Sequence, residues 1–351
     1  MNHNQNKHAR ISLQFFGADP VTTNATDTAA MPEEIKTFYD TELLESAKCE
    51  MVYAQLAKRQ PLPAHHGKTV EWRKWNAFAP AKKLQENVIP DGQKFGMSTK
   101  YGTVEQYGTY ATVSDQLEMH AYDDVILGAT EEMGASAAIT QETLIRDALL
   151  TGTNVLYCDN INLSDGSVAS TPTTPAEMEA SETVLSAMTP EMVARAVTKM
   201  KKDRVPTIDG KYIAVIHPSC AHDLRHSRDW MEAHQYAAPE AILNGEIGAL
   251  HGCRFIENVF APVLGGEDYK NKAGTVTYAT YFFGRDAFGI VDPEQGGLQM
   301  IVKDKSQVGG PLDQFSTIGY KLETNGATIL YPERILRVMS CSTYSDEDIE
   351  N

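Results

Sequence analysis

No run of apolar residues in this chain approaches the roughly 20 needed to cross a bilayer as a helix. The segment Ile11-Ser12-Leu13-Gln14-Phe15-Phe16, behind Lys7 and Arg10, is short and interrupted, and no small-x-small cleavage site follows it; neither a signal peptide nor a membrane is expected. Cysteine is scarce: the five residues Cys49, Cys158, Cys220, Cys253 and Cys341 are scattered and show no C-x-x-C, which points to free thiols in a reducing compartment. Positive charge is in deficit, with 31 Lys and Arg against 47 Asp and Glu, and the net charge of −16 argues against a general nucleic-acid binder. Phosphate loops are missing too. Gly245, Gly248 and Gly252 do not have the required spacing, and Glu246 would repel phosphate. Ser219 lies in no G-x-S-x-G elbow. His217, Cys220, His222 and His226 fall close together, but Asp223 stands where H-E-x-x-H needs Glu, and no second ligand cluster follows; capping or solvated roles are expected for these histidines. The chain is therefore read as having no catalytic residue, no cofactor and no metal site.

What is present is an ordinary globular composition, 42% hydrophobic and 22% charged over 351 residues, enough for two or three substructures with their own cores. The stretch Asp115–Gly152 predicts one long helix, the spine of the chain. Met119, Tyr122, Ile126, Ala129, Met133, Ala137, Thr140, Leu144 and Ala148 recur at helical spacing. Asp124, Glu131 and Glu142 fall roughly 140–160° away, on the opposite side. Asp115 and Glu118 have capping-box spacing, Gly152 sits at the end, and Gly128 or Gly134 offers a point of bending or division.

Around the spine the chain is mixed. Residues 1–31 are polar and read as a loose arm with a small basic end. Glu33–Lys58 predicts a helix. Lys68–Trp75 and Val104–Val113 are β-rich on either side of Pro80, Pro90-Asp91-Gly92 and Gly96, which predicts a long hairpin that needs a surface to lie on. Thr153–Thr189 reads as a connecting loop with short strands at most. Thr189-Pro190-Glu191 opens a helix with Val193, Ala196, Val197 and Met200 inward. Tyr212–His217, Phe255–Phe260, Thr275–Phe283, Phe288–Val291 and Leu298–Val302 predict strands, and Ser219–Arg225 and Trp230–Leu243 helices. Asn325-Gly326 predicts a closing hairpin between Thr317–Glu323 and Ala327–Met339, followed by an acidic end at 344–351. The class is α+β.

Charge is unevenly placed. Residues 105–190 hold fourteen acids and the single base Arg146, whereas residues 65–100 hold seven bases and three acids. Trp72-Arg73-Lys74-Trp75 with Phe78 interleaves bases and aromatics. That composition suits a single-strand binding platform, but in so acidic a chain subunit contact through aromatic and Arg anchors is the better reading. The proposed contact set is Lys68, Trp72, Arg73, Lys74, Trp75, Phe78, Lys82 and Lys83 on the basic side and Asp124, Glu131 and Glu142 on the acidic side.

Several stretches together resemble the major capsid proteins of tailed bacteriophages, of the coliphage N-four type. They are Gly67-Lys68-Thr69-Val70-Glu71-Trp72-Arg73-Lys74-Trp75, Leu84-Gln85-Glu86-Asn87-Val88-Ile89-Pro90-Asp91-Gly92, Gln106-Tyr107-Gly108 with Ser114-Asp115, His217-Pro218 with Asp223-Leu224-Arg225, Asn244-Gly245-Glu246-Ile247-Gly248, and Gly252-Cys253-Arg254-Phe255-Ile256. Glu86-Asn87 departs from the acid-glycine pair usual in that family. Leu13-Gln14-Phe15-Phe16-Gly17 resembles the openings of capsid proteins from phages of Firmicutes. The resemblance implies the tailed-phage capsid fold. Its parts would be an N-terminal arm and helix (1–60), an extended β-hairpin loop (61–114), a peripheral domain with the spine helix (115–189), an axial domain (190–316), and return strands with an acidic tail (317–351). It also implies self-assembly as hexamers and pentamers into an icosahedral virion shell around double-stranded DNA bound without sequence specificity. A separate scaffolding protein and a portal would take part, assembly would occur in the host bacterial cytoplasm, and Lys7 and Arg10 would lie on an inward-facing arm. An encapsulin-like nanocompartment shell shares the fold and is the alternative; a soluble hydrolase lacks a convergent polar site.

Overall fold

The computed structural model describes residues 51–63, 65, 67–75, 78–81, 83, 92–120, 125–227, 230, 246–294, 297–308, 312–345 and 348–351. In chain order the elements are α1 (Tyr53–Leu56), β1 (Lys58–Leu62), β2 (Thr69–Trp75), β3 (Met97–Ser114), α2 (Asp115–His120), α3 (Val125–Leu150), β4 (Val155–Tyr157), β5 (Asn160–Asn162), β6 (Val168–Ser170), β7 (Val184–Leu185), α4 (Pro190–Lys202), β8 (Tyr212–Ile216), α5 (Pro218–His226), β9 (Glu246–Leu250), β10 (Cys253–Glu257), β11 (Val263–Leu264), β12 (Thr277–Phe283), β13 (Phe288–Pro293), β14 (Gln299–Lys303), α6 (Lys305–Val308), β15 (Phe315–Asn325), β16 (Thr328–Ile329) and β17 (Ile335–Ser340).

A seven-stranded mixed sheet in the order β4-β17-β12-β8-β10-β9, with β11 on β12, forms the main core. Every residue of β8, β12 and β17 is buried, which is why none reads as an apolar-polar alternation; β8 is an unbroken apolar run, while Thr277, Thr280, Arg337 and Ser340 are polar residues buried within β12 and β17. One face packs Ala214, Phe282, Leu336 and Val338 against Val193, Ala196 and Val197 of α4 and Ala221 and Leu224 of α5. α4 starts as its sequence predicts: the Thr189 hydroxyl accepts the Met192 N–H at 3.3 Å, and Pro190 needs no partner there. His217 caps α5 in the same way, accepting the Ser219 N–H through Nδ1 at 3.3 Å. The other face of the sheet packs Val215, Tyr281, Phe283 and Ile335 against Tyr53, Ile145 and Leu149.

The second large sheet runs β14-β15-β3-β2. β3 is one strand of 18 residues, about 60 Å of chain. Its 104–114 half pairs with β15 and its 97–103 half with β2, from Thr69↔Thr103 to Trp75↔Met97. A long hairpin is therefore present, but its return strand is 97–103; the expected partner, Val104–Val113, pairs with β15 instead. Met300, Ile318 and Leu322 of this sheet meet Ile126, Ala129, Met133 and Ala137 of α3.

Four expectations change. Of the predicted spine, residues 115–120 (α2) and 125–150 (α3) are helical, and residues 121–124, which include Tyr122 and Asp124, lie outside the described residues. Gly128 and Gly134 lie inside α3, which runs through both without a break. The helix is capped by Ser114 rather than by Asp115: its hydroxyl accepts the Leu117 N–H at 3.3 Å, while Asp115 and Glu118 both bind the Lys305 ammonium. Met119 is exposed, and no residue of α2 is buried. Asn325-Gly326 does not close a hairpin, because β15 is paired with β3 and β14, β16 with β13, and β17 with β12 and β4; the chain changes sheets there. Trp230 is helical, and the rest of its predicted helix lies outside the described residues.

Candidate subunit-contact surface

The base of the loop has two unlike faces, set by the period of its strands. Val70, Trp72 and Lys74 point to the body of the chain. Trp72 is partly buried, its ring lying over Gly102 and Gly289, where a Cβ would collide with it. The Lys74 ammonium binds Glu333 at 2.7 Å and stands over the Tyr331 ring at 4.5 Å. These two residues hold the loop to its own subunit, so neither is placed to anchor it on a neighbour.

The opposite face is uncovered. Trp75, Met97 and Tyr101 share it through the pairs Trp75↔Met97 and Glu71↔Tyr101. Beyond the strand ends Phe95 stacks on Trp75 at 4.3 Å and Phe78 on Phe95 at 5.6 Å. The Gln93 amide continues the ladder by pairing with both the N–H and the C=O of Ala79. All five apolar side chains are between 45% and 60% exposed, and together they form one row. Such a row marks a contact surface far better than scattered apolar residues do. Arg73 lies on this face, forked onto Glu71 at 3.2 Å. Lys68 and Lys83 are exposed, and Lys82 lies outside the described residues. The sequence pointed to Trp75 and Phe78 but missed Phe95, Met97 and Tyr101; the hairpin register, which sets Met97 opposite Trp75, was the signal that could have found them.

The acidic side differs more. Glu131 is exposed on α3. Glu142 has no exposed surface at all, and the surface role expected of it is corrected here. Its carboxylate accepts the N–H groups of Tyr53 and Ala54 at 3.0 and 3.2 Å and the Asn258 amide at 3.4 Å. It thereby caps α1, whose own N-cap residue Val52 offers no side-chain acceptor. Burial pushes the Glu142 carboxyl above its ordinary range, against the pull of these hydrogen bonds. One turn on, Arg146 is also buried and donates to Asp147 and to Asn351. The cause is that α3 packs on two sheets, not one: its early turns lie on β14 and β15, its last turns on the central sheet, so positions outside the predicted stripe are covered as well.

Acids elsewhere in this segment are also taken internally. Asp159 binds Arg195 at 2.7 Å and Glu179 binds Lys272 at 2.6 Å, besides the pairing of Asp115 and Glu118 with Lys305. The excess of acid counted along the sequence is thus partly neutralised before any neighbour approaches. The four described cysteines are free and buried, and burial raises the thiol of Cys341 to about 11, so all are poor nucleophiles. Among the described residues no helix is long and apolar enough to cross a membrane. The arm residues Lys7 and Arg10 lie outside the described residues.

The family model described as phage capsid protein matches residues 98–329. No curated protein matches the chain. Among solved structures, the capsid of cyanophage Pam1 is similar over 95% of this chain and 100% of its own, with a TM-score of 0.63 at 11% identity. The acid-stable capsid of the Helicobacter pylori bacteriophage KHP30 is similar over 96% and 99%, with a TM-score of 0.60 at 10% identity. The capsid of cyanophage P-SCSP1u is similar over 92% and 93%, with a TM-score of 0.58 at 12% identity. At such identities the structures speak for the fold, and the fold is that of phage capsid subunits. The family match covers most of the chain, including the long strand of the loop, the spine helix and all of the central sheet except β17, and on it the chain belongs to the phage capsid protein family, structural proteins of the virion shell.

Proposed function

We propose that this subunit closes its shell by laying the loop 61–114 across a neighbouring copy, with the uncovered row Tyr101, Met97, Trp75, Phe95 and Phe78 as the contact. The observation that carries this reading is the row itself: five large apolar side chains in sequence on one face of a two-stranded excursion. Apolar burial supplies most of the affinity in such contacts, and charge sets encounter and register. Lys68, Arg73, Lys82 and Lys83 act in the second way, facing exposed acids of the neighbour such as Glu131. Asp124 belongs to the same acidic side by sequence. The divisions at 61–114, 115–189, 190–316 and 317–351 follow as the loop, spine, axial and return parts of the subunit.

The same reading gives hexamers and pentamers as the assembling units and double-stranded DNA as the content, held without sequence-specific contacts because the chain is acidic overall. A separate scaffolding protein and a portal take part, assembly occurs in the host cytoplasm, and Lys7 and Arg10 face inward. Deleting residues 1–30 and recovering normal filled capsids would dispose of any essential role for those two. The loop contact is tested by sedimentation of Trp75→Ser/Phe95→Ser and of Lys82→Glu/Lys83→Glu. The first should raise the concentration needed for assembly by about tenfold or more, at the scale of hot-spot residues. The second should raise it less, and only at low salt. Unchanged assembly of both at low salt would sink the reading.

A further inference from the structure

Residues 342–351 carry four acids and one amide and, by sequence, read as a loose acidic end. Their described residues meet the subunit at four successive places, three of them through hydrogen bonds. At α5, Asp223 accepts the Thr343 N–H at 3.0 Å and the Thr343 hydroxyl, and the Ser219 carbonyl accepts the Ser342 hydroxyl at 2.9 Å. Tyr344 lies against the His222 ring at 5.1 Å. At β12, the Tyr278 hydroxyl donates to the Asp348 carboxylate at 2.6 Å; the Ser219 hydroxyl donates to the same oxygen at 2.7 Å, and Ser345 to the other at 2.8 Å. Glu350 passes close over Gly265, where a Cβ would meet its carboxylate at 3.1 Å. Beside β11 and on α3, the Asn351 side-chain oxygen accepts both the Val263 N–H at 3.0 Å and the buried Arg146 guanidinium at 2.9 Å. Its amide faces the carbonyls of Val259 and Ala261 at 3.4 and 3.3 Å.

We propose that the described residues 342–345 and 348–351 form the two anchored parts of a releasable strap that fixes α5 and the 258–264 segment against the spine helix α3, and so sets how stiffly these parts of the subunit are joined. Its bonds run from an element of the 190–316 part to one of the 115–189 part. Its own apolar side chains, Tyr344 and Ile349, are mostly exposed, so hydrogen bonds rather than apolar burial hold it. A segment held in that way opens locally, at less than the free energy of global unfolding. Opening leaves Arg146 with Asp147 alone and leaves the Val263 N–H without an acceptor, so the loss is felt at α3 and at β11, not merely along the strap. Its use in a shell subunit rests on the capsid reading; the strap itself does not, because it is read on unassembled protein.

Amide hydrogen exchange of the full chain separates the two. The variants are Asn351→Ala, whose side chain reaches α3 and β11, and Ser219→Ala/Asp348→Ala, which frees the middle. The proposal predicts that protection in α5 and in 258–264 falls at least tenfold in both, while α4, β8 and β17 keep theirs. Asn351→Ala is the milder change and keeps the test usable if the double variant fails to fold. Unchanged exchange in 258–264 would overturn the proposal. So would an equal loss across β8 and β17, since that is general destabilisation rather than release of a strap. Failure here with normal shells would leave the capsid reading standing, and the reverse outcome would leave the strap standing.

Discussion

Two carboxylates with opposite surroundings show how single residues set the behaviour of this subunit. Glu142 is sealed between α3, α1 and Asn258, and burial raises its carboxyl despite three donors. A group raised in the folded state binds its proton more tightly there, so the stability it contributes falls as pH rises through its titration range. Asp348 is the reverse. Partial burial opposes its charge, but Tyr278, Ser219 and Ser345 donate to it, His217 stands 3.9 Å away, and the carboxyl is held below its ordinary range. Its contribution is complete above the unfolded value and is lost as pH falls through the folded one. Denaturation midpoints measured from about pH 3 to 7 should therefore change slope in opposite senses for Glu142→Gln and Asp348→Asn. Equal slopes for the two would contradict these environments. Glu142→Ala, which strands the N–H groups of Tyr53 and Ala54 and the Asn258 amide in the interior, should cost about 3 kcal/mol in a denaturant titration.

At the scale of elements, the two tryptophans of β2 lie on opposite faces, and the proposed contact uses only one of them. Trp72 faces inward over Gly102 and Gly289, so Trp72→Ala should cost about 3 kcal/mol of monomer stability. Trp75 is 57% exposed, so Trp75→Ser should change monomer stability by no more than about 0.5 kcal/mol yet impair assembly. A thermal melt beside a sedimentation run checks both, and similar melting losses for the two would refute the assignment of faces. Alternation along the strand would have separated Trp72 from Trp75 in the sequence, but grouping them by composition with Arg73 and Lys74 hid it. Other elements were plain because their signals are local: the Thr189-Pro190 start of α4 and the apolar runs that became β8 and β12. What stayed hidden depends on distant partners. Nothing near Glu142 in sequence says that Tyr53 and Asn258 will surround it. Asn325-Gly326 has the chemistry of a tight hairpin, but β3 and β13 claim the strands on either side.

For the whole molecule, the paired acids matter more than the count of −16. Asp115, Glu118, Asp159 and Glu179 are already matched by Lys305, Arg195 and Lys272, and Glu142 is inside. In the proposed loop contact, attraction between subunits would therefore depend less on charge than the sequence suggested, and more on the aromatic row. Raising salt should weaken assembly only modestly, since exposed charges are screened and apolar contacts are not. A steep loss of assembly at moderate salt would place the affinity in charge instead. The central claim is that this chain builds a shell from copies of itself. Negative-stain electron microscopy of the purified protein tests it most directly: closed shells or ring-shaped capsomers are predicted, and a field of uniform monomers at every concentration would contradict it.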